Sequence, residues 1–218
     1  MDVHNLSERN SLLNNFLKEI RSVEIQKDSM RFRRNLERIA EILSYELSKG
    51  LNYFSEDVQT PFSKVQINTV SDQLVVASIL RAGIPFHQGV LNYFDKAENA
   101  FVSAFRNYND ATHTTFDISV EYIASPDLNG KTLILCDPML ATGGSMELSY
   151  KALLSKGTPQ KVHILSLIAS RQAIDYIQRC LPENTSVWVA AIDPELNERS
   201  YIIPGLGDAG DLAFGCKL

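Results

Sequence analysis

Leu133-Ile134-Leu135-Cys136-Asp137-Pro138-Met139-Leu140-Ala141-Thr142-Gly143-Gly144-Ser145 joins an apolar run, an acid and a glycine-hydroxyl turn in one continuous stretch. The apolar run reads as a strand covered on both faces, and the turn reads as the opening of a helix over 144–156. Such a passage from strand to helix is one crossover of an α/β sheet, whose ligands sit outside the carboxyl ends of the strands. The turn can offer backbone N–H groups and the Thr142 and Ser145 hydroxyls to an anion, at the positive end of the helix that follows. Asp137 adds an acceptor for hydroxyl groups. A plain bend would use the same Gly143-Gly144 pair, but Asp137, Thr142 and Ser145 around it point to a ligand that carries both phosphate and sugar hydroxyls.

Two common nucleotide loops are excluded by spacing. No lysine follows Gly143-Gly144 as G-x-x-x-x-G-K-[ST] requires, and this turn lacks the spacing G-x-G-x-x-G that follows the first strand of a dinucleotide fold. Outward from this stretch, β-rich runs at 73–80, 100–106, 118–123, 132–136, 162–169 and 186–192 alternate with candidate helices at 84–94, 144–156 and 171–180. That order predicts a mainly parallel sheet flanked by helices. Before it, Leu12, Leu13, Phe16, Leu17 and Ile20, then Phe32, Leu36, Ile39, Ala40, Leu43 and Leu47, recur at helical spacing and mark two packing faces.

The 218 residues, 44% of them hydrophobic, suit one domain with one sizeable core. Within it, residues 1–50 form a helical N-terminal portion. Cys136, Cys180 and Cys216 lack metal-ligand spacing, and their odd number suits a reducing cytoplasm. The start has no signal-peptide pattern, and no run of about 18 apolar residues suggests a membrane span. A net charge of −5 argues against a broad nucleic-acid-binding surface.

Two arginines follow strands at the same predicted rim. Arg81, in Ser78-Ile79-Leu80-Arg81-Ala82-Gly83, has the planar fork that grips an oxyanion, although an arginine in a surface ion pair would look the same. Arg106 ends a second strand and opens the polar stretch Asn107 to Thr115, a candidate mobile loop. Near the C-terminus, Tyr201-Ile202-Ile203-Pro204-Gly205-Leu206-Gly207-Asp208-Ala209-Gly210-Asp211 interrupts an apolar stretch with glycines, which let backbone groups approach the edge of a planar ligand. A generic glycine-rich turn has the same composition.

The wording D-P-M-L-A-T-G-G-S from Asp137 and Y-I-I-P-G-L-G-D-A-G-D from Tyr201 resembles the uracil phosphoribosyltransferases, a branch of the type I phosphoribosyltransferases. Asp193-Pro194-Glu195-Leu196-Asn197-Glu198 and Arg31-Phe32-Arg33 also follow that family's wording, so the resemblance covers most of the chain after about Arg31. It implies a type I phosphoribosyltransferase fold with N-terminal helices and a base-binding hood at about 193–218. It implies transfer of a phosphoribosyl group from phosphoribosyl pyrophosphate (PRPP) to uracil, giving UMP and pyrophosphate in pyrimidine salvage.

By the same resemblance, Arg81, Arg106, Asp137, Pro138, Met139, Leu140, Ala141, Thr142, Gly143, Gly144, Ser145 and Asp208 would contact PRPP. Ile202, Gly207, Asp208 and Ala209 would meet uracil, mainly through main-chain atoms, and Arg81, Asp137 and Asp208 would be the catalytic set. The wider family places two adjacent acids where this chain has Asp137-Pro138, so Asp208 would supply the missing acid near the sugar and metal. Mg²⁺ would be held mainly through the diphosphate and water. Similar enzymes form dimers or tetramers, and some respond to GTP as an allosteric effector. The alternatives are a transferase for another base, and an RNA-binding regulator on the same fold that senses uridine nucleotides.

Overall fold

A computed structural model describes residues 1–108 and 116–216, with the backbone alone at 105–108 and 116–119. The first half runs β1 (Asp2–Asn5), α1 (Leu13–Arg21), α2 (Ser29–Ser48), β2 (Tyr53–Gln59), β3 (Lys64–Val70), β4 (Leu74–Leu80), α3 (Gly83–Leu91) and β5 (Glu98–Tyr108). The second runs β6 (Phe116–Ala124), β7 (Thr132–Cys136), β8 (Met139–Leu140), α4 (Gly144–Leu153), β9 (Lys161–Ser170), α5 (Arg171–Cys180), β10 (Thr185–Asp193), β11 (Glu195–Leu196), β12 (Ile202–Ile203) and α6 (Ala209–Phe214).

Among the described residues the main sheet has the order β1-β10-β9-β7-β4-β5-β6, with β8 added beside β9. Every pairing is parallel except β5 with β6. The apolar runs are continuous because both sheet faces are covered, and alternation within a run sorts residues between them. Thus Ile134, Cys136 and Leu165 pack with α1, α2 and α3, whereas Leu133, Leu135 and Ile164 pack with α4 and α5. Burying each such leucine or isoleucine contributes about 1.5–3 kcal/mol relative to leaving it in water.

The strands and crossover helices expected from periodicity are present, with ends shifted by a few residues. Several elements lay outside that expectation, among them the short strands β8, β11 and β12. Residues 2–5 form an edge strand parallel to β10, the two strands β2 and β3 form a separate hairpin, and the glycine-rich C-terminal segment ends in the short helix α6. Short polar strands and a one-and-a-half-turn helix carry too few apolar positions to show a period. Among the described residues, no helix is long and apolar enough to cross a membrane.

Candidate active site

Three chain segments meet at the carboxyl ends of β4 and β7 and enclose a cleft of about 380 Å³. The first is the turn from β4 into α3, which contributes Arg81 and Ala82. This turn lies close against the sheet: a Cβ on Gly83 would sit 2.4 Å from the Ser78 hydroxyl oxygen. Arg81 Nη2 donates to Asp211 Oδ1 at 3.0 Å, Nη1 donates to the Gly215 carbonyl at 3.4 Å, and the buried Nε has no partner among the described residues. Arg81 is thus ion-paired with Asp211 and lines the cleft.

The second segment is the turn from β7 into α4. Asp137 Oδ1 accepts from the Met139 N–H at 3.2 Å, while the Pro138 carbonyl accepts from the N–H groups of Leu167 (3.2 Å) and Ile168 (3.0 Å). Ser170 Oγ donates to the Ala141 carbonyl at 2.5 Å and accepts from the Ala173 N–H at 2.9 Å. These bonds fasten the turn to β9 and to the start of α5. Asp137, Met139, Ala141 and Ser145 line the cleft. Pro138, Leu140, Thr142, Gly143 and Gly144 build the turn without lining it, and the Leu140 side chain is buried in the core.

Gly143 has φ +88° and precedes the first residue of α4, so it caps the helix with no side chain and leaves the first-turn N–H groups to other acceptors. The Thr142 hydroxyl takes one weak share, accepting from the Gly144 N–H at 3.4 Å. The absent Cβ of Gly143 points away from the cleft: it would lie 2.7 Å from Tyr176 Cδ1 and 3.1 Å from Ile177 Cγ2 on α5. Glycine is required here by a left-handed backbone and a close helix contact rather than by bulk at the anion position. Burial pushes the neighbouring Cys136 thiol up, and the Asp137 charge acts in the same direction, so this sulfur stays protonated and unreactive.

The third segment is the C-terminal hood. The β11–β12 hairpin delivers Ser200, Tyr201 and Ile202, and the chain then brings Gly207, Asp208, Ala209 and Gly210 over the cleft. Gly207, at φ +96°, has open space around its Cα and serves the turn by conformation alone. Asp208 caps α6, its Oδ1 accepting from the Asp211 N–H at 3.0 Å. The cleft thus gathers Arg81, Asp137, Met139, Ala141, Ser145, Ile202, Gly207, Asp208 and Ala209 from the sequence-derived set. Arg106 lies on β5, but its side chain, like the loop at 109–115, falls outside the described residues.

Sequence reasoning missed Ser200, Tyr201, Ala104 and Asp211. Ser200 and Ala104 offer no charge or motif, Tyr201 opens the hood motif without a charge to single it out, and Asp211 pairs with Arg81, which is distant in sequence. Asp193, Arg21 and Gly205, which hold the base of the hood, were also unassigned.

The family model described as uracil phosphoribosyltransferase matches residues 7–216. The chain is similar, at 57% identity over the full length of both, to a Porphyromonas gingivalis protein named uracil phosphoribosyltransferase. A Methanothermobacter thermautotrophicus protein of the same name is 39% identical, covering 86% of this chain and 85% of that one. Among solved structures, the AQ2163 protein from Aquifex aeolicus superposes with a TM-score of 0.86 at 29% identity, covering 98% of each chain. A full-length family match, high identity and a shared fold around one cleft lead to the same place: the chain belongs to the uracil phosphoribosyltransferase family.

Proposed function

We propose that the protein transfers the phosphoribosyl group of PRPP to uracil, forming UMP and releasing pyrophosphate. The observation that carries this reading is the single cleft shared by Arg81, Asp137, Ser145 and the hood residues Ile202, Gly207 and Ala209. The turn before α4 holds the 5′-phosphate on first-turn N–H groups, Asp137 accepts from the ribose hydroxyls, and Arg81 grips the diphosphate. Main-chain groups of Ile202, Gly207 and Ala209 meet the edge of uracil, and Asp208 faces the sugar.

As the bond from the anomeric carbon to pyrophosphate breaks, its electrons leave with the pyrophosphate and the sugar takes on oxocarbenium character. A uracil ring nitrogen then bonds to that carbon and loses its proton. Positioning of the two substrates contributes about 7–11 kcal/mol in favourable systems, more than one proton transfer worth about 10²- to 10⁴-fold. This comparison favours the anion cradle, Arg81 and the hood as the source of the rate over any single base.

Mg²⁺ fits the oxygen donors present. Asp137 and Asp208 line the cleft, and among the described residues no group of three or more His, Cys, Asp and Glu is placed to hold an ion. Magnesium commonly takes one or two carboxylates with substrate phosphates and keeps several waters. Bound through the diphosphate, it would offset the charge that develops on the leaving group. A cytoplasmic setting, in which the free Cys136, Cys180 and Cys216 stay reduced, belongs to the same reading.

Self-association completes the proposal. The register of β2 and β3 puts Phe54, Val58, Val65 and Ile67 on one hairpin face, all of them exposed, and Phe62 at the tip is 97% exposed. A two-stranded hairpin is marginal alone in water. In a two-fold pair with antiparallel arms, each tip reaches the base of the other arm, where Tyr53, Val70, Tyr93 and Phe94 line a groove. Sedimentation of the wild type and of a Phe62→Ser, Ile67→Ser variant checks this: a dimer or larger assembly weakened by the changes is expected, and a wild-type monomer overturns it.

The reaction itself is tested with a panel of uracil, cytosine, hypoxanthine, guanine and orotate, each supplied with PRPP and Mg²⁺. Formation of UMP and pyrophosphate from uracil, with at least about 100-fold lower turnover of the other bases, is the expected result. Preference for another base, or no turnover together with tight, salt-sensitive RNA binding, overturns it.

A further inference from the structure

The base of the hood is tied to the N-terminal helix by a partly buried charge pair. Arg21, the last residue of α1, donates from Nη1 to Asp193 Oδ2 at 2.8 Å and from Nη2 to Asp193 Oδ1 at 2.9 Å. Asp193 closes β10 and is only 5% exposed. Both partners then reach the same residue, one at each of its two flanking peptide groups. Asp193 Oδ2 accepts from the Gly205 N–H at 2.8 Å, and Arg21 Nη1 donates to the Gly205 carbonyl at 3.0 Å. Gly205 has φ +55°, and a Cβ there would lie 2.1 Å from the Ile202 carbonyl oxygen, so the position admits glycine alone.

A second contact from the same N-terminal segment reaches the next residue. The Gln26 side-chain amide, its nitrogen turned toward two carbonyls, donates to Leu206 O at 3.0 Å and to Ile20 O at 2.8 Å. The two braced residues, Gly205 and Leu206, stand between Ile202 and Gly207, which line the cleft, while Arg21, Gln26 and Asp193 do not line it.

We propose that Arg21 is a positioning residue for the base-binding hood: the Arg21–Asp193 pair clamps Gly205 and so sets the backbone edge that meets uracil. The inference rests on the function proposed above. Replacement by packed apolar residues often matches or exceeds a buried ion pair in stability, so such a pair is weak evidence of a stabilising role. A backbone that reads a planar edge has no side chain of its own to fix its place. Misplacing a reacting group by about 1 Å can cost about 10²-fold. The bidentate fork of Arg21 on Asp193, with one nitrogen shared by the Gly205 carbonyl, restricts that displacement in a way a lysine point charge cannot. The turn that would hold the 5′-phosphate rests on β7, β9 and α5, and Arg81 alone of the described PRPP groups is bonded to the hood, through Asp211 and Gly215 beyond the clamped residue, so the clamp acts chiefly on the uracil edge.

The test compares wild type, Arg21→Ala and Arg21→Lys by initial rates with each substrate varied, and by hydrogen exchange at the Gly205 and Gly207 amides. For Arg21→Ala the expected result is a KM for uracil raised at least about 10-fold, a KM for PRPP within about 2-fold of wild type, and faster exchange at Gly205. Arg21→Lys should fall between the two. Added guanidinium ion should lower the uracil KM of Arg21→Ala and leave wild type unchanged. An unchanged uracil KM, or equal loss toward both substrates without guanidinium rescue, overturns the clamp. Hydrogen exchange separates the two readings: a wild type inactive on uracil overturns the proposed reaction, whereas unaltered Gly205 exchange in Arg21→Ala overturns the clamp itself.

Discussion

Arg81→Ala should lower kcat/KM for PRPP by about 10²- to 10³-fold, a loss of about 3–4 kcal/mol in transition-state stabilisation, and leave the fold intact. The asymmetry follows from where the guanidinium sits. Its ion pair with Asp211 is about one-third exposed on each side, and exposed pairs contribute at most about 1 kcal/mol to stability. Its buried Nε, without a partner among the described residues, lies on a side chain that lines the cleft. Arg81→Lys keeps a charge but loses the planar fork and should recover only part of the loss. Initial rates against both substrates, with a melting curve for each variant, measure this. Wild-type kinetics in Arg81→Ala would remove the residue from the diphosphate site.

Gly143→Val is expected to act from the opposite side of its turn. The new Cβ would meet Tyr176 and Ile177 on α5 at 2.7 and 3.1 Å, and a β-branched residue would be forced to φ +88°. Left-handed strain costs about 1–3 kcal/mol and overpacking typically a similar amount. Together they should destabilise the protein by about 2–6 kcal/mol, or move the start of α4 away from the 5′-phosphate and weaken PRPP binding at least about 10-fold. A Tyr176→Ala background should relieve the packing share and retain the backbone share. Calorimetric titration with PRPP and thermal unfolding of the single and double variants report the two shares. Undiminished affinity and stability in Gly143→Val would sink the account of this turn.

The path from Leu133 to Ser145 was legible in sequence because its signals are local. A strand covered on both faces must be apolar throughout, a crossover helix must begin within a few residues of it, and an acid at the junction must face the ligand edge. The same locality made the hood visible through its glycines and Pro204. The hairpin at 53–70 was not visible, because its apolar residues are few, set among polar ones and mostly exposed, which leaves only a weak alternation.

Gly143 shows the limit within a single residue. Its need for glycine could be read from the motif, but the reason, contact with Tyr176 on α5, required the packed structure. Arg81 and Asp211, 130 positions apart, and Arg21 and Asp193, 172 apart, form pairs that no spacing rule connects.

By itself, the sequence determined the alternation of strands and helices, the sheet rim at which the cleft opens, and most of the residues that line it. Hydrophobic period and turn chemistry act over a few residues, so a linear reading can recover them. Only the tertiary structure decided which charges pair, which side of Gly143 is crowded, and that the first helix braces the last turn. Those outcomes depend on close packing between segments far apart in the chain, where a shift of tenths of an ångström separates contact from clash.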